Sequence, residues 1–314
     1  MTVNPPAIEF DAVSKDYTLR NGESLSALTD FKLRVPVGQV FGFAGPNGAG
    51  KSTAIKILVG LLRSTSGRTT VFGHPAGSKE SKKLVGFLPE VTLYHEFMTA
   101  SELLLIHATL AGVKRSQRAS RCEETLERVG LAERRKSRIK EFSKGMKQRF
   151  GIAQAIVGNP KLLVLDELTS GLDPHAQASL LSLLLSLKQE QGMTIFFSSH
   201  HLREIEKICD SVAILHKGRL RCSGSIAEVL GEAEEVLVQA HFLQDGPPAT
   251  AGTQWRREID GSYSAVLKTS EVSARLIEID ALDARIVSLS SRRKPLEELF
   301  HELTSERESE CGAK

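Results

Sequence analysis

Apolar and polar positions along the chain change period several times, and each change marks an element. Ala7–Phe10, Ala27–Val35 and Gln39–Ala44 read as strands. The last of them carries Val40, Phe41 and Phe43, the apolar, β-prone residues of a buried strand. After the loop Gly45–Gly50, the segment Thr53–Leu62 places Ile55, Leu58, Val59 and Leu62 at helical spacing. Strand, glycine-rich loop and helix thus follow one another directly. Arg68–Phe72 and Leu84–Leu88 are further short strands.

Residues 101–160 read as three helices. Ser101 precedes a leucine-rich helix ending near Gly112, Ser116–Val129 is a second with Gly130 just past its end, and Ser143 precedes a third that stops before Pro160. Leu162–Leu165 and Thr194–Ser198 are apolar runs separated by the helix Pro174–Gln189. Such runs between helices predict parallel strands covered on both faces. Ser211–Leu220 is a hairpin turning at Lys217-Gly218. Beyond about residue 230 the texture changes. Val236–Phe242, Tyr263–Lys268 and Arg285–Leu289 are strand-like, Gly246-Pro247-Pro248 is a loop, Val272–Leu282 is helical, and a helix opens at Pro295. The pattern predicts an α/β chain of two unequal domains: 1–230, with a helical subdomain at about 92–160, and an α+β domain over 231–314.

Composition narrows the class. With 314 residues, 41% of them hydrophobic and 25% charged, the chain is globular rather than disordered or fibrous. The leucine-rich stretch Ser179–Leu187 is broken by serines and far short of the ~20 apolar residues of a membrane span, so no crossing of a bilayer is expected. No basic residue precedes Lys15 and no apolar stretch follows, so no secretory signal is expected. Cys122, Cys209, Cys222 and Cys311 are scattered without a CxxC pair, which suits a reducing compartment and argues against a disulfide framework or a zinc site. The formal charge of +3 hides an asymmetry: residues 231–314 carry −6, and 114–147 alone carry +7. A basic block of that kind suits a nucleic-acid or anionic-membrane partner, or a solvated helical face.

The candidate chemistry begins at Gly45-Pro46-Asn47-Gly48-Ala49-Gly50-Lys51-Ser52, which fits G-x-x-x-x-G-K-[ST] in the strand–loop–helix context that this pattern needs. Glycines let backbone N–H groups converge on an anion without a Cβ in the way, and the helix beginning around Thr53 adds its positive end. Lys51 would reach the β- and γ-phosphates of a nucleotide, and Ser52 would supply an oxygen to Mg²⁺. The metal also needs a carboxylate at the end of a buried strand. Leu162-Leu163-Val164-Leu165-Asp166-Glu167 provides it, 115 residues after Lys51. Two adjacent carboxylates are costly without a cation. Asp166 is assigned to Mg²⁺, directly or through water, and Glu167 to orienting or deprotonating the attacking water.

Further segments give the chain a family resemblance. Phe142-Ser143-Lys144-Gly145-Met146-Lys147-Gln148-Arg149 resembles the signature segment of ABC-type ATPases, Ser170-Gly171-Leu172-Asp173 their D-loop, and Ser198-Ser199-His200 their switch-histidine segment. Tyr17 matches the aromatic that stacks on adenine in that family. The resemblance covers roughly residues 7–230. It implies a P-loop NTPase fold of the ABC type, a mixed β-sheet core with a helical signature subdomain, working on ATP and Mg²⁺. It further implies a head-to-tail homodimer in which the P-loop of one subunit and Ser143, Gly145 and Asp173 of the other enclose each nucleotide, with His200 contacting the γ-phosphate. Ser143 precedes a helix, and a helix N-terminus is rich in donors for a phosphate. His201 reads as structural.

Departures from the common pattern refine this. Lys144 and Met146 replace Gly and Gln, Leu168 replaces Pro, and Leu88-Pro89-Glu90 stands where many relatives carry a glutamine. These features, with the Leu296–Phe300 segment LEELF, resemble the subgroup that drives two-component exporters. The resemblance then implies a separately encoded membrane permease as partner, a peripheral location on the cytoplasmic side of the membrane, and a coupling role for Glu90. A soluble relative acting on nucleic acid or the ribosome is the alternative that the basic block raises. Translation-type members carry two ATP sites in one chain, and chromosome or repair types insert a long coiled coil. This chain has one P-loop, and only 92 residues separate Lys51 from Ser143. No nucleic-acid partner is expected. A GTPase or kinase is disfavoured, because no NKxD guanine motif is present. For 231–314 the sequence leaves dimer contact, regulation and permease docking open.

Overall fold

The computed structural model describes residues 5–18, 22–231, 235–242, 254–281 and 284–305. The chain divides into two compact units, 1–226 and 227–314.

In chain order the first unit contains β1 (Ile8–Thr18), β2 (Ser24–Val35), β3 (Val40–Ala44), α1 (Lys51–Leu58), β4 (Ser66–Val71), β5 (His74–Pro75), α2 (Lys79–Leu84), β6 (Val85–Leu88), α3 (Ala100–Leu110), α4 (Arg118–Arg128), α5 (Lys144–Ile156), β7 (Leu162–Asp166), α6 (Pro174–Gln191), β8 (Thr194–Ser198), α7 (Leu202–Ile208), β9 (Ser211–His216) and β10 (Arg219–Ser225). Two sheets result. One is antiparallel with order β2-β1-β4-β5, and the other has order β10-β9-β3-β8-β7-β6. In the second sheet β6, β7, β8, β3 and β9 are parallel, and only β10 returns antiparallel through the hairpin at Lys217-Gly218. Every residue of β3, β7 and β8 is buried. That is the burial expected of parallel strands covered on both faces.

One core joins the two sheets. Phe31 of β2 lies 6.0 Å from Phe43 of β3 between ring centroids, and Phe43 lies 5.1 Å from Phe196 of β8. Helix α6 buries Leu180, Leu181, Leu183, Leu184 and Leu187, so the leucine-rich stretch is a core helix. Among the described residues no helix is long and apolar enough to cross a membrane. Helices α3, α4 and α5 pack on one another.

Several boundaries differ from the sequence pattern, for local reasons. Helix α1 begins at Lys51, inside the loop motif, and stops at Leu58 because Gly60 turns the chain at φ 76°. Helix α3 is capped by Thr99 rather than Ser101. The Thr99 hydroxyl accepts from the Glu102 N–H while the Glu102 carboxylate accepts from the Thr99 N–H at 2.9 Å. Helix α7 was not predicted, since seven residues give too short a window for a periodicity. Strand β1 runs past Phe10 to Thr18 through a polar, bulged half in which Ala12 adopts φ 50°.

The second unit follows α8 (Ile226–Leu230), with β11 (Glu235–His241), β12 (Arg256–Arg257), β13 (Tyr263–Lys268), α9 (Val272–Asp280), β14 (Arg285–Arg292) and α10 (Leu296–Ser305). Its antiparallel sheet has order β12-β13-β11-β14. Val238, Ala240, Leu267 and Ile279 form its small core, and Phe242 meets Trp255 edge-on at 5.1 Å. The predicted loop Gly246-Pro247-Pro248 lies outside the described residues, as does Leu282.

Candidate functional site

Strands β3, β8 and β7 are consecutive in the sheet, and their C-terminal ends carry the three segments of interest. This is where open α/β sheets place their ligands. The turn after β3 has two positions, Gly45 and Gly50, where a side chain would not fit. Gly50 takes φ 107°, and a Cβ there would lie 2.4 Å from the Ala27 carbonyl oxygen. A Cβ on Gly45 would lie 2.5 Å from the Leu215 carbonyl oxygen. Gly45 and Gly50 therefore bring the loop backbone against β9 and β2. Lys51, the first residue of α1, is 6% exposed. Its Nζ donates to the carbonyls of Gly45 at 2.6 Å and Pro46 at 3.3 Å, and lies 3.7 Å from Glu167 Oε1.

At the end of β7 the two carboxylates face different partners. Ser198 Oγ donates to Asp166 Oδ1 at 2.6 Å and accepts from the Glu167 N–H at 3.1 Å. Glu167 itself adopts φ 50°, a conformation that non-glycine residues seldom take and that clusters at functional sites. The turn sends its carboxylate across the strand ends. Glu167 Oε2 lies 2.5 Å from His200 Nδ1 and 3.4 Å from the His200 N–H. His201 packs its ring 4.0 Å from that of His200 and stands at the N-terminus of α7.

These groups open onto a cleft of about 490 Å³. Its wall includes Tyr17, the loop Pro46–Gly50, Lys51, Ser52, Thr53, Glu90, Glu167 and His200. Sequence reasoning missed Leu25 and Ala27 on this wall. Leu25 is the cross-strand partner of Tyr17 in the β1–β2 register, so only the pairing reveals it. Ser170 also lines the cleft. Gly45 and Asp166 do not line the cleft, and Asp166 is 7% exposed.

Ser143, Gly145 and Asp173 do not line this cleft. Ser143 caps α5, its Oγ accepting from the Met146 N–H at 3.3 Å, and Gly145 is the second residue of that helix. Asp173 caps α6 with Pro174 behind it. The Ala176 N–H, 2.9 Å from Oδ1, holds the Asp173 carboxyl below the usual carboxylate range. A second cavity, of about 340 Å³, shares Glu90, Glu167 and Ser170 with the cleft and continues to Lys144, Lys147 and Gln148 on α5. The ammonium of Lys144 lies against Gly171, where a Cβ would come within 2.3 Å of Nζ.

Residues 28–170 match the family model described as ABC transporter. An uncharacterised ABC transporter ATP-binding protein of Synechocystis is 39% identical over 302 residues, 93% of this chain and 83% of that protein. The linearmycin resistance ATP-binding protein LnrL of Bacillus subtilis is 33% identical over 283 residues, 85% of this chain and 90% of that one. The methionine import ATP-binding protein MetN of Geobacillus kaustophilus is 34% identical over 243 residues, 76% and 71% of the two chains. The solved structure of cbiO1 of Clostridium perfringens, part of the ABC transporter complex cbiONQ, is 26% identical and covers 72% of this chain and 90% of that chain with a TM-score of 0.63. Identity of 39% sustained over 93% of the chain, on a fold that gathers a P-loop and two buried carboxylates at one sheet end, places the protein in the family of ABC transporter ATP-binding subunits, which are ATPases.

Proposed function

We propose that this chain is the ATP-hydrolysing motor of an exporter, that it acts as a head-to-tail homodimer, and that it drives a separately encoded permease from the cytoplasmic face of the membrane. The convergence of Lys51, Glu167 and His200 at the ends of three adjacent strands carries the reading.

ATP would enter the 490 Å³ cleft with its adenine on Tyr17 and its phosphates over the backbone of Pro46–Thr53. Lys51 would exchange its loop-carbonyl hydrogen bonds for the β- and γ-phosphates. Hard oxygen donors suit Mg²⁺, and the exposed Ser52 hydroxyl on the wall and the Asp166 carboxylate at the end of β7 are the donors that would hold it. Bound there, Mg²⁺ would neutralise charge developing on the phosphate oxygens. Glu167 would accept a proton from water as the water oxygen attacks the γ-phosphorus. The bond from phosphorus to the bridging β–γ oxygen breaks, and ADP and phosphate leave. His200, held against Glu167, would contact the γ-phosphate. Ser143, Gly145 and Asp173 lie off the cleft of their own subunit, which supports their use across the dimer.

The export direction rests on the departures at Glu90, Lys144 and Met146 and on the LEELF segment within α10. Glu90 belongs to both cavities, so a carboxylate at this position touches the nucleotide cleft and the space reaching α5. That placement supports a coupling role between hydrolysis and the membrane partner. The test is to purify the tagged chain from membranes in mild detergent. A polytopic membrane protein should co-purify, and its absence would sink the transporter reading. With that complex in inside-out vesicles, ATP-driven accumulation of cargo marks export, and ATP-driven loss marks import.

A further inference from the structure

A second buried polar network joins the segments that carry Glu167 and His200. Glu204, in the first turn of α7, is 8% exposed. Its Oε2 accepts from the Thr169 hydroxyl at 2.7 Å and from the Ser199 hydroxyl at 3.0 Å. Thr169 is two residues after Glu167, and Ser199 immediately precedes His200. Ser199 Oγ in turn accepts from the His201 N–H at 3.0 Å. Thr169 and Ser199 are 1% and 0% exposed, so these bonds form away from water.

We infer that Glu204 is a positioning residue for hydrolysis, which clamps the segment carrying Glu167 to the segment carrying His200 through one carboxylate oxygen. A buried carboxylate left without donors is costly, so its two hydroxyl partners hold their places firmly. The backbone of Glu167 sits in an unfavourable φ and needs support on both sides. Ser198 holds the Glu167 N–H, and the Thr169–Glu204–Ser199 bridge holds the chain two residues further on. A small loosening of this bridge moves the carboxylate relative to the imidazole while leaving the loop and the hydrogen bonds of Lys51 to the Gly45 and Pro46 carbonyls in place.

This inference rests on the assignment of Glu167 and His200 to hydrolysis. The test measures turnover, KM and ATP affinity for Glu204→Ala, Glu204→Gln, Thr169→Val and Ser199→Ala, with Glu167→Gln in parallel. Glu204→Ala should lower kcat by about 10- to 100-fold, the size of effect that a small misplacement of catalytic groups produces. ATP affinity should stay within about threefold of the parent, and Glu204→Gln should recover part of the loss. Adding Thr169→Val to Glu204→Ala should cost nothing more, because both break one bridge. If Glu204→Ala fails to fold, Thr169→Val and Ser199→Ala carry the test, each with reduced kcat and unchanged ATP affinity. Turnover within about threefold of the parent in these variants, equal losses of kcat and affinity, or additive losses in the double variant overturn the inference. Fast hydrolysis by Glu167→Gln would instead overturn the underlying assignment. Slow hydrolysis by Glu167→Gln beside normal turnover in Glu204→Ala would reject the clamp alone.

Discussion

Lys51 Nζ lies 3.7 Å from Glu167 Oε1, and both side chains are no more than a tenth exposed. The cation that would hold the phosphates and the carboxylate that would act on water therefore face each other across the loop. A buried charge of either sign needs its partner. An anionic nucleotide arriving at Lys51 competes with Glu167 for the same ammonium, which would free the carboxylate as the phosphates settle.

Replacing Lys51 with Ala removes the ammonium at the centre of this arrangement. Charge-assisted hydrogen bonds are worth about 1.5–3 kcal/mol, so ATP affinity should fall by about 10- to 100-fold or more. Equilibrium titration with a fluorescent ATP analogue checks it. Undiminished affinity would rule out the P-loop assignment.

Gly50→Ala places a methyl group 2.4 Å from the Ala27 carbonyl oxygen at a backbone φ of 107°. Strain of this kind costs about 1–3 kcal/mol, and the loop relieves it by moving out of its nest. Thermal melting should show a lower midpoint, and nucleotide titration a weakened site. An unchanged midpoint with unchanged affinity would show that the loop does not depend on its close approach to β2.

The pH dependence has a clear sign at Tyr94. Burial pushes its phenol up to about 12, and its Oη donates to the Lys147 carbonyl at 2.9 Å. The folded state thus holds this proton more tightly than the unfolded chain, where the phenol titrates near 10. The resulting stability is fully present below about pH 10 and is lost as pH rises from about 10 through 12. Tyr94→Phe should lose about 0.5–1.5 kcal/mol at neutral pH and show a shallower loss of stability in alkali. Denaturant melts at several pH values measure both. An identical alkaline slope in the variant would contradict the assignment.

The legible parts of this protein are those written in consecutive residues. The loop Gly45–Ser52 combines its glycines, its lysine and its place between strand and helix in one stretch, and the structure confirms strand, loop and helix there. The buried strands Leu162–Asp166 and Thr194–Ser198 were legible from their apolar runs, Leu162–Leu165 and Ile195–Phe197, each ending at a polar residue. Relationships across the sheet were not. That Glu167 meets His200 depends on β7 and β8 being neighbours, with Asp166 opposite Ser198 in register. Glu204 was invisible because its partner Thr169 is 35 residues away and its helix has only seven residues. The cap of α3 was misplaced by two residues because Thr99 and Ser101 are both good caps, and only Thr99 has Glu102 at the reciprocal position.

The most direct measurement is the hydrolysis of ATP by Glu167→Gln under single-turnover conditions, with ATP binding and molecular mass followed on the same sample. With Glu167 as the group that acts on water, the variant should bind ATP, accumulate as an ATP-bound dimer, and hydrolyse about 10²- to 10⁴-fold more slowly than the parent. Hydrolysis at the parent rate would contradict it, because the carboxylate that the sheet delivers between Lys51 and His200 would then not be the group that acts on water.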